Sequence, residues 1–405
     1  MDVRVDSSEP QASPPYTLVT TDDAFRAMME RLRPVRRLAI DTEADSLYHY
    51  FEKVCLLQIS TESETFIVDP LAVAIVGELG ALMADPAVEK VFHAAGYDVY
   101  CLRRDYNFSF ANIFDTHLAG SLLGYEFLGL GTMMEEILGV HHSKGCQRDD
   151  WSRRPLLAEQ LEYAAMDTYH LLRLRDALEE ELRQKGRLGW ALEEFDAEAS
   201  AARSEKEFDT EGFRRIKGFR ELDVPERLVL RALYLFRDAV ARKLDAPAFK
   251  VLNNSVLVDL ARRPPATAQE LFRRPGISYR VARKFGEELV ALIRDACAQD
   301  PAVLQLPPRP MAHPPSRAAR HRMELLKKWR LGKSEELKLQ VGVVFPANLL
   351  EGLAGTPPES LDDFMKFPGM RRWRVEEFGA EILQALMDDK EGCVSGADGG
   401  AAAQG

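Results

Sequence analysis

Apolar and polar positions divide the chain near residue 115 into a first part with both strand and helix periods and a remainder that is helical throughout. Residues 16–19 read as a short strand. Thr20 or Thr21 then caps a helix over 22–33, whose apolar Phe25, Met28, Met29 and Leu32 recur at helical spacing. After the break at Arg33-Pro34, residues 37–40 form a short apolar run that reads as a buried strand ending in Asp41-Thr42-Glu43. Residues 54–60 and 65–68 are two further strands, joined by a polar turn short enough for antiparallel pairing. Residues 71–84 read as helix, 90–94 as strand, 98–106 as helix and 111–114 as strand. An antiparallel triplet followed by strands that alternate with helices predicts an α/β layer fold.

Residues 116–190 carry consecutive helical patterns, interrupted by a polar loop over 138–155. One long helix is predicted from near Leu156 past Tyr163, Asp167, Leu171, Leu174 and Leu178, and the acidic, Ala-rich stretch 191–210 reads as a linker helix. From residue 221 the chain restarts with short helices over 227–243, 254–261, 267–271 and 279–293, the last preceded by Pro275-Gly276-Ile277. A Pro-rich segment, 301–315, reads as a stiff linker. The order then repeats over 320–328, 347–352, 361–365 and 375–387. R-R-P-G-I-S-Y-R-V-A-R-K-F-G at 273–286 answers K-F-P-G-M-R-R-W-R-V-E-E-F-G at 366–379, which marks two copies of one small helical domain. The expected division is a disordered leader (1–15), an α/β domain (16–190), a linker helix (191–218), a first helical domain (219–298), the Pro-rich linker (299–318), a second helical domain (319–390) and a disordered tail (391–405).

Composition narrows the class. There is no apolar run of membrane-spanning length and no apolar segment of a signal peptide near the N-terminus. Five scattered cysteines without C-x-x-C spacing give little support to a structural zinc or a disulfide framework, and a reducing cytoplasm is the expected location. The net charge of −11 is uneven: residues 1–210 carry −17, 211–330 carry +12 and 331–405 carry −6. That distribution suits a chain that holds cations in its first domain and grips an anion with its middle.

Three short stretches carry candidate chemistry. Asp41 and Glu43 lie two apart on a strand, so their carboxylates share a face, and two adjacent like charges call for a neutralising divalent ion. His93-Ala94-Ala95-Gly96-Tyr97-Asp98 puts a carboxylate at the start of a helix. Tyr163 and Asp167 lie one helical turn apart on the same face, and the small Ala164 and Ala165 let that helix lie close to the sheet.

D-T-E at 41–43, H-A-A-G-Y-D at 93–98 and Y-A-A-M-D at 163–167, in this order, resemble the three motifs of the DEDD exonuclease superfamily, in its tyrosine subclass. F-D-T (114–116), L-G-Y (123–125), the K-x-x-Q-x-x-D-W of Lys144, Gln147, Asp150 and Trp151, and S-R-R-P-L (152–156) look like ribonuclease D. The two repeats resemble helicase-and-RNase-D C-terminal (HRDC) domains. Met166 and Gly145-Cys146 depart from the usual pattern without removing an acid.

The resemblance implies a ribonuclease H-like α/β domain with a mixed sheet, followed by two all-α HRDC-like domains. It implies a 3′→5′ exoribonuclease that trims structured RNA such as tRNA precursors and uses two divalent ions, Mg²⁺ or Mn²⁺. Asp41, Glu43 and Asp167 would hold the ion that activates water, with Asp41 bridging to a second that Asp98 supports, and Tyr163 orienting the water. The alternatives are an exonuclease that prefers DNA, or a non-catalytic nucleic-acid-binding protein of the same fold. Lys144 and Gln147 are expected to contact the substrate, with Trp151 either beside them or packed in the core. Arg280, Arg283 and Lys284, around the first Pro-Gly turn, are expected to bind backbone phosphate. His93 reads as structural, and Gln58 either faces the cleft or is an edge-strand amide. A monomer without membrane association is expected. So is a fragment ending near residue 211 that still cleaves short strands but grips long RNA weakly.

Overall fold

The computed structural model describes residues 14–142, 145–200, 208–304 and 316–395, with side chains described as far as 387. Most of the leader, the Pro-rich linker and the tail therefore lie outside the described residues, as does Lys144. Among the described residues six strands form one sheet: β1 (Thr17–Val19), β2 (Arg37–Ala44), β3 (Val54–Ser60), β4 (Thr65–Val68), β5 (Glu89–Phe92) and β6 (Ile113–Asp115). Their order is β1-β4-β3-β2-β5-β6. β2, β3 and β4 pair antiparallel, while β1, β5 and β6 each join in parallel, so the sheet is mixed as the sequence implies. β2 is interior and pairs Asp41 with Gln58 on β3. Gln58 is thus on a central strand, not an edge, and is fully buried.

Helices α1 (Asp22–Leu32), α2 (Gly80–Ala84), α3 (Gly96–Tyr106), α4 (Thr116–Leu123), α5 (Leu130–Leu138), α6 (Ala158–Tyr169), α7 (Leu171–Gln184) and α8 (Leu188–Ser200) complete the first domain. α1 starts where Thr21 accepts the Ala24 N–H, and it buries Phe25, Met28 and Leu32. The helix expected over 71–84 is reduced to one 3₁₀ turn and α2. Asp69 takes the Leu71, Ala72 and Val73 amides into a turn, and Gly77 and Gly80 lower the helix propensity of the residues beyond it. The long helix expected from Leu156 is broken at His170 into α6, which lies across β3 and β4, and α7, which packs on α4. Thr168, Tyr169 and His170 are poor helix formers, and Thr168 is tied to Ser60 by a 2.7 Å hydroxyl bond, so the chain turns there.

The repeats fold as expected. The first has α9 (Val224–Leu244), α10 (Ala248–Val251), α11 (Asn254–Arg262), α12 (Ala268–Phe272) and α13 (Tyr279–Cys297). The second has α14 (Arg317–Leu337), α15 (Val341–Val344), α16 (Ala347–Gly355), α17 (Leu361–Phe364) and α18 (Arg372–Ser395). α18 extends into the segment expected to be tail.

The first helical domain has its own apolar cluster, built on Phe213, Leu230, Leu233, Leu257, Phe285 and Leu289. The second does not. Its Leu326, Phe345, Trp373 and Phe378 share one cluster with Phe114, Leu122 and Leu171 of the α/β domain. α8 is the shared wall, through Ala191 and Phe195, so the start of the segment read as a linker helix is part of the core. At Gly124, with φ +92°, a Cβ would stand 2.3 Å from the Lys338 carbonyl oxygen, so only glycine permits this approach of α4 to α14.

Candidate active site

The interior strand β2 ends in the first two acids, and the period of two sets Asp41 and Glu43 on the face covered by α6. α6 supplies the third. Oxygens of Asp41, Glu43 and Asp167 lie within 4.8 Å of one another, the spacing of a group that can hold a metal ion. Burial raises all three acids above their usual range, and for Asp41 and Glu43 the charges of Asp167 and Asp98 raise them further. His142 works against burial at Asp167 by hydrogen bonding to it. Three carboxylates pushed toward protonation, with Asp167 Oδ2 buried and without a protein partner, fit a divalent cation and oppose any anion.

Asp98 stands in the first turn of α3, outside that group of three but close enough to act on Asp41 and Glu43. Burial pushes its carboxyl up to about 7, against the bond it accepts from the Thr42 hydroxyl at 2.5 Å. The entry to α3 is pinned by Asp115 of the F-D-T motif. Its carboxylate accepts the Ala94 and Ala95 amides at 3.0 and 2.8 Å while capping α4 through His117 and Leu118. One buried acid thereby fixes where Asp98 begins its helix, a role the sequence reading missed. An Asp directly before a helical run was the available signal.

Tyr163 lies one turn before Asp167, half-buried, and its phenol is held well above its usual range by burial and by the charges of Asp167, Glu43 and Asp41. His142, also missed by the sequence reading, packs on it: the rings are stacked with centroids 5.3 Å apart, and His142 Nε2 lies 2.7 Å from Asp167 Oδ1. Trp151 is 1 % exposed and 6.2 Å from the Tyr163 ring, so it is core and not a substrate contact. Arg154 of S-R-R-P-L ties the preceding loop to the sheet through both oxygens of Asp69 and the Cys55 carbonyl. Met166 packs partly buried against the shared core. His93 is bonded to Thr116 at 2.9 Å, and burial lowers it to about 4, so it is structural as read.

Gln147 is exposed on the loop before α6. Arg280, Arg283 and Lys284 are exposed in the first turns of α13, which Ser278 caps through the Val281 amide. A groove lined by Lys250, Arg280 and Lys284 opens beside them, and Lys250 reaches over the Tyr48 ring at 3.9 Å. Tyr48 belongs to the loop between β2 and β3, which connects the acids to the first helical domain. No described helix is long and apolar enough to cross a membrane.

The sequence matches the 3′-5′ exonuclease family over residues 16–183 and the HRDC domain family over 226–293 and 320–386. Ribonuclease D of Gluconacetobacter diazotrophicus is 31 % identical, the match covering 93 % of this chain and 94 % of that protein. The chain belongs to the ribonuclease D family. The crystal structure of Escherichia coli RNase D, described as an exoribonuclease involved in structured RNA processing, superposes with a TM-score of 0.67 at 25 % identity, covering 93 % of this chain and 99 % of that one. The catalytic core of RRP6 from Trypanosoma brucei superposes with a TM-score of 0.63 at 27 % identity, over 71 % of this chain and 81 % of that one. As a ribonuclease D homologue with the exonuclease and HRDC domains in place, this protein is a hydrolytic 3′→5′ exoribonuclease dependent on divalent metal. The DNA-preferring and non-catalytic alternatives are not favoured.

Proposed function

We propose that this ribonuclease D-like enzyme removes nucleotides one at a time from the 3′ ends of structured RNA, tRNA precursors among them, releasing 5′ mononucleotides as a cytoplasmic monomer. In this reading Asp41, Glu43, Asp98 and Asp167 hold two Mg²⁺ or Mn²⁺ ions, and Tyr163 is catalytic beside them. The observation that carries it is the meeting of Asp41, Glu43 and Asp167 within 4.8 Å, on the face that Tyr163 shares. All-oxygen donors suit Mg²⁺ or Mn²⁺ better than a thiophilic metal. The pair of ions, when bound, lowers the pKa of water and stabilises charge on the phosphate and the leaving oxygen.

The protein's own groups do the rest. Asp41, on an interior strand and paired there with Gln58 of β3, is held in place by the sheet and would hold an ion together with Glu43 and Asp167. Asp98, fixed by Thr42 and by the Asp115-pinned start of α3, supports the second ion. Tyr163 stays protonated at neutral pH, because its surroundings raise its pKa further, so it acts as a hydrogen-bonding group that orients water and not as the base. Lys144, which lies outside the described residues, Gln147 on the loop before α6, and Arg280, Arg283 and Lys284 on the first HRDC domain contact the RNA. The positive charges of the lysines and arginines among them offset the repulsion between substrate phosphate and the acidic centre. The cysteines described at 55, 101, 146 and 297 are free, which agrees with a reducing compartment.

A degradation assay on matched RNA and DNA single strands, with Mg²⁺ or with chelator, tests the reading. RNA is shortened from its 3′ end with Mg²⁺ only, and Tyr163→Phe binds RNA normally but turns over ~10²–10⁴-fold more slowly. Full turnover in chelator, or an unchanged single-turnover rate for Tyr163→Phe, overturns it.

A further inference from the structure

His142 has no part in the scheme above, yet its side chain is only 6 % exposed and touches two of the residues the scheme uses. It follows α5 by a short turn through Gly139, whose φ of +67° sends the chain back toward α6. The turn is held from behind. Gly131 lies so close that a Cβ there would meet the His142 carbonyl oxygen at 3.0 Å. The imidazole therefore arrives on a supported backbone. Its Nε2 lies 2.7 Å from Asp167 Oδ1, and its ring lies nearly parallel to the Tyr163 ring, at 28°. When Asp167 holds a cation it is ionised and can only accept, so Nε2–H is then the donor. The other oxygen, Asp167 Oδ2, is buried and has no hydrogen-bond partner.

We infer that His142 is a positioning residue for the metal centre: it occupies one oxygen of Asp167, fixes the carboxylate's rotation so that the other oxygen is presented to an ion, and braces Tyr163 by stacking. The inference rests on the metal-centre reading proposed above. Small ions such as Mg²⁺ demand near-ideal octahedral geometry, so a carboxylate locked to one donor oxygen lowers the ordering needed on binding. Loss of an outer-shell hydrogen bond to a metal ligand typically costs ~10–100-fold in metal affinity. His142 is then a contributor distinct from the four acids, and it acts without itself touching the ion.

Two substitutions separate its functions. His142→Phe keeps a ring against Tyr163 and removes the donor. His142→Gln removes the ring and keeps an N–H donor at a similar reach. The measurement is Mn²⁺ binding to the full-length chain without RNA, read from the decrease of the free-ion electron paramagnetic resonance signal, with kcat and KM measured alongside in Mg²⁺. His142→Phe should bind Mn²⁺ ~10–100-fold more weakly, with the loss in kcat recovered at high metal concentration. His142→Gln should bind Mn²⁺ more tightly than His142→Phe but keep a kcat defect that metal does not rescue, because Tyr163 has lost its brace. Unchanged Mn²⁺ binding in His142→Phe, or equal loss in both variants, overturns the inference. Asp41→Asn is the control. If it too binds Mn²⁺ as the wild type does, the metal-centre reading itself has failed. If it loses the ion while His142→Phe does not, only the role of His142 has.

Discussion

Arg280, Arg283 and Lys284 of the first HRDC domain correspond, across the repeat, to Trp373, Glu376 and Glu377 of the second. In the first copy these positions are exposed and basic, at the head of α13. In the second copy Trp373 is 3 % exposed and stacks on Trp190 of α8, with ring centroids 4.5 Å apart. Glu193 of α8 accepts the Arg372 and Trp373 amides at 2.6 and 2.9 Å, placing an acid at the start of α18, where a phosphate would otherwise be attracted. Glu194 pairs with Arg371 and Arg374. Duplication of one fold has thus yielded one copy that offers its helix start to solvent and one whose helix start is already filled by the exonuclease domain. The difference explains why a fragment ending near residue 211 is a poor test of RNA binding. It would expose Trp190, Phe195, Leu122 and Leu123, which the second copy covers, and the enzyme would lose stability along with affinity.

The largest effect that can separate the copies comes from the acids. Burial holds the Asp98 carboxyl at about 7 against an ordinary value of 3.8, and raises Asp41 and Glu43 in the same direction. Between about pH 4 and pH 7 the metal-free native chain keeps protons that the unfolded chain releases. Stability without metal therefore falls as pH rises through that window, by several kcal/mol, and stays low above it. Divalent ions should restore it at pH 8. Thermal unfolding in chelator at pH 5 and pH 8, with amide exchange resolved by segment, checks the sign. The exonuclease and second HRDC domains should weaken together and the first HRDC domain, with its separate core, should keep its protection. If all three weakened equally, the two copies would not differ in how they are attached.

A smaller effect is expected from the interface itself. Trp373→Ala removes a buried indole that packs on Trp190 and Phe378 and donates its Nε1–H to Glu194 at 3.1 Å. Such truncations typically cost about 3–5 kcal/mol. The loss should appear in denaturant unfolding of the exonuclease domain, far along the chain from the mutation, while the salt dependence of RNA binding is unchanged. The corresponding change in the first copy does the reverse. Arg280→Glu with Arg283→Glu should leave unfolding unaltered and weaken binding of a tRNA-sized RNA. The log–log salt slope should fall by roughly 0.7–0.9 for each phosphate that is no longer neutralised. Equal slopes for the mutant and the intact protein would make the basic face of the first copy a solvated surface only.

The legible parts were those set by local spacing. The strand period placed Asp41 beside Glu43, the helical turn placed Tyr163 over Asp167, and the Pro-Gly turns marked both repeats. What failed to show were contacts between segments distant in sequence. Nothing near His142 announces that its turn folds back onto α6, and it stands in a polar loop whose neighbouring residues were read as substrate contacts. The acidic stretch beginning at 191 was read only as a linker helix because its Glu193 and Glu194 meet a helix start nearly 180 residues away. Gln58 was misjudged because β4 and β2 enclose β3 on both sides, which the strand's own composition does not reveal.

The smallest expected effect concerns the joint between the first copy and the active site. Asp245 ends α9 with φ +44°, and its carboxylate accepts the Tyr50 and Phe51 amides at 3.0 and 3.1 Å and pairs with His49 at 2.7 Å. The same loop is held on its other side, where Tyr48 donates to the Arg148 carbonyl and His49 Nε2 meets Ser152 Oγ. One short segment between β2 and β3 therefore joins the first HRDC copy, the loop bearing Gln147 and the strand bearing Glu43. Asp245→Gly suits the left-handed backbone, so it removes the carboxylate without strain. The freed amides are exposed enough for water to replace most of the hydrogen bonding, leaving a net cost of about 1 kcal/mol. Because Tyr50 still packs on the first domain's core and bonds to Asp238 at 2.6 Å, the domain should stay docked but looser. KM for a structured RNA should rise by roughly fivefold, with kcat on a short single strand unchanged and unfolding shifted by no more than that cost. A fall in kcat on the short strand would mean that the joint also sets the position of Glu43, and would bind the first copy to the chemistry as closely as the second is bound to the fold.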